Sequence, residues 1–373
     1  MNRTLFPFIV EDLKKKIVFI TGPRQSGKTT LAKGLGDRID YFNYDFSPHR
    51  MALEEKSWDR KKSILIFDEL HKKKEWKRWL KGIYDVEGIP PAIVVTGSAK
   101  LDTYRKMGDS LAGRFFQYRL HPFDLKEVAN HFSTDEAFNR LWECGGFPEP
   151  FLSGKRTYYR RWSKGHLDII LRQDLLDLFS VHDIQSIESL IHLLELRVGQ
   201  TVSAANMARD LNRDPNTILR WLEMLENLYI IFKVSPYSQK ISRTLLKAPK
   251  YYFYDYAKIE NPGARLENLV ACALLKELQF KEDTEGINGT LHFLRTKDGQ
   301  EIDFLVVIDG SPTSLIEVKL SDDHVSPHFY HFSGFLPPSL KKIQLVKNLE
   351  REKTFPDGIE IRNAAPWLAN LAI

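Results

Sequence analysis

Cysteine is nearly absent from the 373-residue chain: Cys144 and Cys272 are the only two, far apart and in dissimilar contexts. That pattern excludes a disulfide framework and a zinc knuckle. No apolar run approaches the roughly 20 residues that cross a bilayer. The N-terminal MNRTLFPFIVEDLKKK lacks the apolar stretch and small-residue cleavage site of a secretory signal. The expectation is therefore a cytoplasmic protein with no membrane partner. There is no internal repeat and no low-complexity linker to mark a boundary, although a chain of this length should divide into about two or three domains. Neither sign of charge prevails, and a net charge of +5 fits a partner with phosphates without demanding one.

What is present is alternation. Between Ile17 and Phe151, the short apolar runs KIVFIT, YFNYD, SILIFDE, AIVVTGS and RFFQYRL alternate with helical stretches. Each run reads as a strand buried on both faces, and the alternation predicts a parallel α/β sheet. Residues 152–234 are helical by pattern, with apolar spacings of three and four through LDIILRQDLLDLF and SIESLIHLLELRV. Residues 235–373 return to mixed α and β: the strand KYYFYDY, the helix GARLENLVACALLKEL, and the strands GQEIDFLVVID and SLIEVKL joined by an Asp309-Gly310 turn.

The segment GPRQSGKTT, Gly22-Pro23-Arg24-Gln25-Ser26-Gly27-Lys28-Thr29-Thr30, follows a predicted strand and opens a predicted helix. Such a P-loop wraps phosphates with its backbone N–H groups, Lys28 reaching the β/γ-phosphates and Thr29 ligating Mg²⁺. Chance would produce the pattern in roughly one chain of this length in a hundred. About 40 residues later the run Ile64 to Phe67 delivers Asp68 and Glu69 at a strand end, where ligands of open α/β sheets collect. Asp68 would hold Mg²⁺ and Glu69 would polarise the attacking water. A small-molecule kinase is disfavoured by that Asp-Glu order. The next run ends in Thr96, Gly97 and Ser98, whose hydroxyls suit a γ-phosphate or water contact, or simply a turn.

Taken in order, GPRQSGKTT, LIFDE, VVTGSAK, SLAGRFFQYRL with HPFDLKE, GGFPEPFL, KAPKYYFYD, GARLENLV, EIDFLV and IEVK resemble, over the full length, the prokaryotic family of AAA-type ATPases fused to a C-terminal domain of unknown function. The resemblance implies ATP as the nucleotide, a homo-oligomer, a helical lid, a winged-helix segment and a restriction-endonuclease-like end. The expected parts are a P-loop ATPase domain at 1–151, a helical and winged-helix region at 152–234, and the nuclease-like domain at 235–373. Arg114 resembles the arginine finger of AAA-type ATPases in its placement, with a structural arginine as the other reading and Arg105 and Arg119 as nearby competitors.

Two further sets suggest a DNA or RNA partner. Asn212, Arg213, Asn216, Thr217 and Arg220 would line a recognition helix, and His71 to Gly82, HKKKEWKRWLKG, is a basic, aromatic run. Either set also suits packing or a solvated face. In the last region Glu267 lies on a helix, Asp303 on one strand, and Glu317 and Lys319 on one face of its partner. That D…ExK pattern would hold one or two Mg²⁺ ions for phosphodiester cleavage, or be a nuclease fold without the chemistry. ATP hydrolysis coupled to nucleic-acid binding or cleavage is the expected function. The alternative is a regulator whose ATP state sets assembly or DNA contact, with no nuclease chemistry.

Overall fold

β-Branched and aromatic residues in runs of five or six form the first sheet. Its strands are β1 (Ile17–Thr21), β2 (Ile39–Asn43), β3 (Ile64–Asp68), β4 (Ala92–Gly97) and β5 (Phe115–Arg119). They are all parallel and lie in the order β2-β3-β4-β1-β5 in the computed structural model, which describes residues 3–97, 111–175, 183–238, 248–321, 324–334 and 336–373. The central three strands are buried along their whole length, as the sequence predicts. The expectation of two-sided burial fails for β2 and β5, which are half-buried because they are the sheet edges.

The chain divides into two compact units: Met1–Pro122 with Asn227–Tyr229, and Phe123–Glu226 with Ile230–Ile373. The expected boundaries at 151/152 and 234/235 both fall inside the second unit. Residues 123–151 pack there through the Phe123 N–H to Gly146 carbonyl bond and the ion pairs Lys126–Glu277 and Lys276–Asp124.

In the second unit the helices Ile184–Glu195, Ala204–Leu211 and Pro215–Asn227 are followed by the antiparallel strands β6 (Ile231–Pro236) and β7 (Lys250–Phe253). The long helix Pro262–Glu285 starts where the Asn261 side chain caps the Ala264 N–H and ends at the left-handed Gly286. Strands β8 (Gly289–Arg295), β9 (Glu301–Ile308), β10 (Ser311–Lys319), β11 (Lys341–Val346), β12 (Lys353–Thr354) and β13 (Ile359–Asn363) complete an eight-stranded mixed sheet. Its order is β12-β13-β11-β10-β9-β8-β6-β7. Asp309 and Gly310 turn the β9–β10 hairpin with φ of 47° and 79°, the backbone that a two-residue hairpin loop requires. No described helix is long and apolar enough to cross a membrane.

Phe67 anchors the first unit's core. It is fully buried, and its ring lies 5.9 Å from Trp58, 5.6 Å from Trp79 and 6.2 Å from Phe42. Truncation would leave a cavity that three rigid rings cannot close. Phe67→Ala should cost about 3–5 kcal/mol, read as a lowered urea midpoint for the first unit. A midpoint shift equivalent to less than about 1 kcal/mol would contradict this packing.

Candidate functional site

The loop after β1 is shaped by backbone positions that exclude most side chains. Gly22 has φ 146°, and a Cβ there would stand 2.3 Å from the Leu120 carbonyl oxygen. Gly27, at φ 96°, precedes the helix Lys28–Lys33, and Gln25 adopts a left-handed φ of 61°. The buried Lys28 folds back on the loop, its Nζ donating to the carbonyls of Gly22 at 2.9 Å and Pro23 at 2.7 Å. Beneath it the buried Arg3 guanidinium donates to the carbonyls of Ser26 and His121. The Ser26 hydroxyl is buried with no hydrogen-bond partner.

Asp68 stands at the end of β3, separated from β1 by β4. Its carboxylate collects three hydroxyl donors from three elements: Thr29 at 2.9 Å, Tyr41 at 2.8 Å and Thr96. Burial, then the bond to Asp68, pushes the Tyr41 phenol up to about 12. Thr96 thus spends its hydroxyl on Asp68 rather than offering it to a phosphate. Glu69 follows in a left-handed turn, φ 56°, with its N–H bonded to the Thr96 carbonyl at 3.0 Å. Its carboxylate lies 3.5 Å from Nδ1 of His71. Burial first, then the positive charge of Lys72, lowers the His71 pKa to about 4, so the ring is neutral at pH 7 and the contact is not an ion pair.

Thr29 and Asp68 are therefore brought into contact beside the loop, with Glu69 one residue on. Ser98 lies outside the described residues, as does Arg105. Arg114 is not brought to the loop. It precedes β5 at the opposite strand end from Gly22, roughly 20 Å away by strand rise, and forms a two-point pair with Asp85 at 2.7 and 3.2 Å. Arg119, by contrast, pairs in register with Thr21 at the loop end. Sequence reasoning missed Arg3, Tyr41 and His71. Only Tyr41, on a predicted strand of the same sheet, carried a usable signal.

Of the nucleic-acid candidates, Arg213 is engaged with Asp183 at 2.7 Å and with the Ser186 hydroxyl, while Asn216 and Arg220 are exposed on the helix Pro215–Asn227. Asn212 is the left-handed cap of the preceding helix and Thr217 is half-buried. In the basic run, Lys72 pairs with Asp45 at 2.8 Å, Lys73 is buried against Glu54, and Trp76 and Leu80 are core.

In the second unit the D…ExK residues meet. Glu317 is 3% exposed and its Oε1 accepts from Lys319 at 2.8 Å, whereas its Oε2 is buried with no hydrogen-bond partner. Asp303 Oδ2 accepts the Val318 N–H at 2.8 Å. Burial, then repulsion from Glu267 and Glu317, raises the Asp303 pKa well above the carboxylate range. Glu267 faces a residue the sequence did not flag. Lys250, wholly buried on β7, lies 3.1 Å from Glu267, 2.6 Å from Glu301 and 3.9 Å from Asp303. Among the described residues no three His, Cys, Asp or Glu side chains are disposed as a metal cage.

Comparisons with known proteins divide the chain in sequence order. Residues 14–129 match an AAA domain, 135–258 the domain of unknown function DUF8612, and 262–365 the domain of unknown function DUF4143. An uncharacterised protein of Mycobacterium tuberculosis is 25% identical over 315 residues, covering 79% of this chain and 68% of the relative. One of Haemophilus influenzae is 23% identical over 94% of both chains. A chain of the structure of Drosophila ORC bound to AT-rich DNA and Cdc6 aligns at 11% identity over 67% of this chain and 86% of its own length. Its TM-score of 0.23 is too low to carry an argument. The AAA match and the five-stranded parallel sheet together support an AAA-type ATPase domain in the first unit, with DUF4143 in the second.

Proposed function

We propose that this chain hydrolyses ATP with Mg²⁺ and that its nucleotide state governs contact with nucleic acid. The observation that carries the reading is the convergence of Thr29, Asp68 and Glu69 beside the Gly22–Lys28 loop. The residues fit a magnesium nucleotide. The Ser26 hydroxyl is orphaned at the loop, and Thr29 and Asp68 present hard oxygens side by side. Residues 22–30 would cradle the phosphates, Lys28 would meet the β/γ-phosphates, and Thr29 and Asp68 would hold Mg²⁺, which supplies charge neutralisation. Glu69 orients and deprotonates the attacking water. Ser98, adjoining β4, is assigned the polar contact to the γ-phosphate or that water. Arg114, at the far end of its own sheet, can act as a finger only across a subunit contact, so the reading includes a homo-oligomer.

The helices 204–211 and 215–227 with β6 and β7 support a winged-helix reading, in which the exposed Asn216 and Arg220 meet DNA or RNA. A second reading, phosphodiester cleavage on a restriction-endonuclease-like fold, is favoured by one observation. The orphaned Glu317 Oε2 lies in the same cluster as Asp303, and two carboxylates with waters suffice for Mg²⁺. Lys319 would then offset phosphate charge.

Lys28→Ala should abolish nucleotide binding, whereas Glu69→Gln should retain binding and lower turnover at least about 100-fold. Parental turnover in Glu69→Gln would refute the water-activation role. Arg114→Ala should slow hydrolysis about 10³-fold with unchanged ATP affinity, and specific activity should rise with protein concentration. A constant specific activity with a normal Arg114→Ala enzyme would remove the trans finger. For cleavage, Mg²⁺- or Mn²⁺-dependent nicking of labelled DNA or RNA should vanish in Asp303→Ala while ATP hydrolysis persists. Equal nicking by both proteins would mark a contaminant, and none by either would leave the regulator.

His71 gives a pH signature. Its folded pKa of about 4 lies below the ordinary 6.5, so the unfolded chain takes up the proton first as pH falls. The stability it contributes is full above pH 6.5 and is lost on acidification toward pH 4, a change of about 3 kcal/mol. His71→Gln should flatten the first unit's urea midpoint across that window. An undiminished pH dependence in the variant would exclude His71 as its source.

A further inference from the structure

Lys250 has a placement that the nuclease pattern does not require. Its backbone is pinned from the helical side by the Thr201 bridge and by the Val202 N–H to Pro249 carbonyl bond at 2.8 Å. Its side chain is 0% exposed and ends among three carboxylates. Burial alone would lower its pKa, but Glu267, Asp303 and Glu301 outweigh burial and hold it charged.

The carboxylates are not equivalent. Glu267 Oε1 takes both Lys250 and the Tyr252 hydroxyl, the latter at 2.6 Å. Glu267 Oε2 faces Gly199, where even a Cβ would come within 2.5 Å. Glu301 gives one oxygen to Lys250 and the other to Arg295 at 2.9 Å. Asp303 has Lys250 only at 3.9 Å, and Glu317 keeps a bare oxygen. Four carboxylates, Glu267, Glu301, Asp303 and Glu317, face three cations, Lys250, Arg295 and Lys319. If all four were ionised one negative charge would be left over, and the raised Asp303 pKa is the mark of that excess: its carboxyl keeps a proton until a cation takes its place. A single divalent cation turns that −1 into +1, whereas two would leave an excess of three positive charges around the wholly buried Lys250 ammonium, which low-dielectric surroundings penalise heavily.

We infer that Lys250 is a built-in cation that withdraws Glu267 and Glu301 from metal binding, so that the cluster takes a single divalent cation, at Asp303 and Glu317. The inference rests on the metal reading of that pair proposed above. Lys250 is a positioning residue: it holds Glu267 in place of a second ion, and the segment 199–202 between the helices fixes where its chain starts.

The test uses nucleotide-free, full-length protein and reads two quantities, the melting temperature in EDTA and the Mn²⁺ stoichiometry by calorimetry. Carboxylates that await a metal repel one another without it, so neutralising one raises the melting temperature. A carboxylate partnered by a buried lysine has the opposite sign. Glu267→Gln and Glu301→Gln should each lower the melting temperature by about 5 °C or more. Both should keep the one Mn²⁺ that Glu317→Gln removes, within about twofold in affinity. A higher melting temperature in Glu267→Gln, loss of Mn²⁺ from it, or two Mn²⁺ ions sensitive to Glu317→Gln in the wild type would each overturn the inference. If the wild type binds no Mn²⁺ while Glu267→Gln and Glu301→Gln are destabilised, the metal reading falls and the internal cation stands.

Discussion

The Asp68 carboxylate is the constraint on which the first unit depends. Three hydroxyls, from the loop helix, from β2 and from β4, converge on it, so three elements are located by one charged group. This requires the strand order found, in which β4 separates β1 from β3 and carries Thr96 in register with both Ile20 and Asp68. Neutral hydroxyl donors satisfy the charge without cancelling it, and the carboxylate stays a competent ligand for a hard cation.

The second unit solves a similar problem with different chemistry. In its D…ExK cluster the acids are met by Lys250, Arg295 and Lys319, with the Tyr252 and Ser326 hydroxyls and the Val318 N–H as neutral donors. An ammonium held by several carboxylates is lost only at the expense of a buried, uncompensated charge. The two units thus differ in how freely their acids exchange partners. In the first, three neutral hydroxyls hold Asp68; in the second, Glu267 and Glu301 share the buried Lys250 ammonium, while one Glu317 oxygen has no hydrogen-bond partner.

Much of this was legible in the sequence because it is local. The buried strands β1, β3 and β4 are unbroken apolar runs, the Asp309-Gly310 turn is spelled by its residue types, and Glu317 and Lys319 share a face through the two-residue period of a strand. The illegible parts are long-range. Arg3 meets the loop and His121 across spans of 23 and 118 residues, and Lys250 finds Glu301 although β6 and β8 lie between their strands in the sheet order. The basic run at His71 to Gly82 misled for a related reason. Its charge is visible in sequence, but the partners that neutralise Lys72 and Lys73, Asp45 and Glu54, precede it by a whole strand and turn. Arg114 was placed correctly before the fifth strand, yet strand direction puts that end of the sheet away from the loop.

Lys28 ties the loop to itself. Its ammonium already occupies the carbonyls of Gly22 and Pro23, so the loop has no unpaired buried charge to force it open or collapse it. Under the proposed ATPase reading, a phosphate would compete with those two carbonyls for the ammonium. A phosphate oxygen carries charge and a carbonyl does not, so that exchange would replace an ion–dipole contact with an ion pair. An uncharged guest would offer the ammonium no such gain, so the loop would favour anions before any contact with a base or sugar is made.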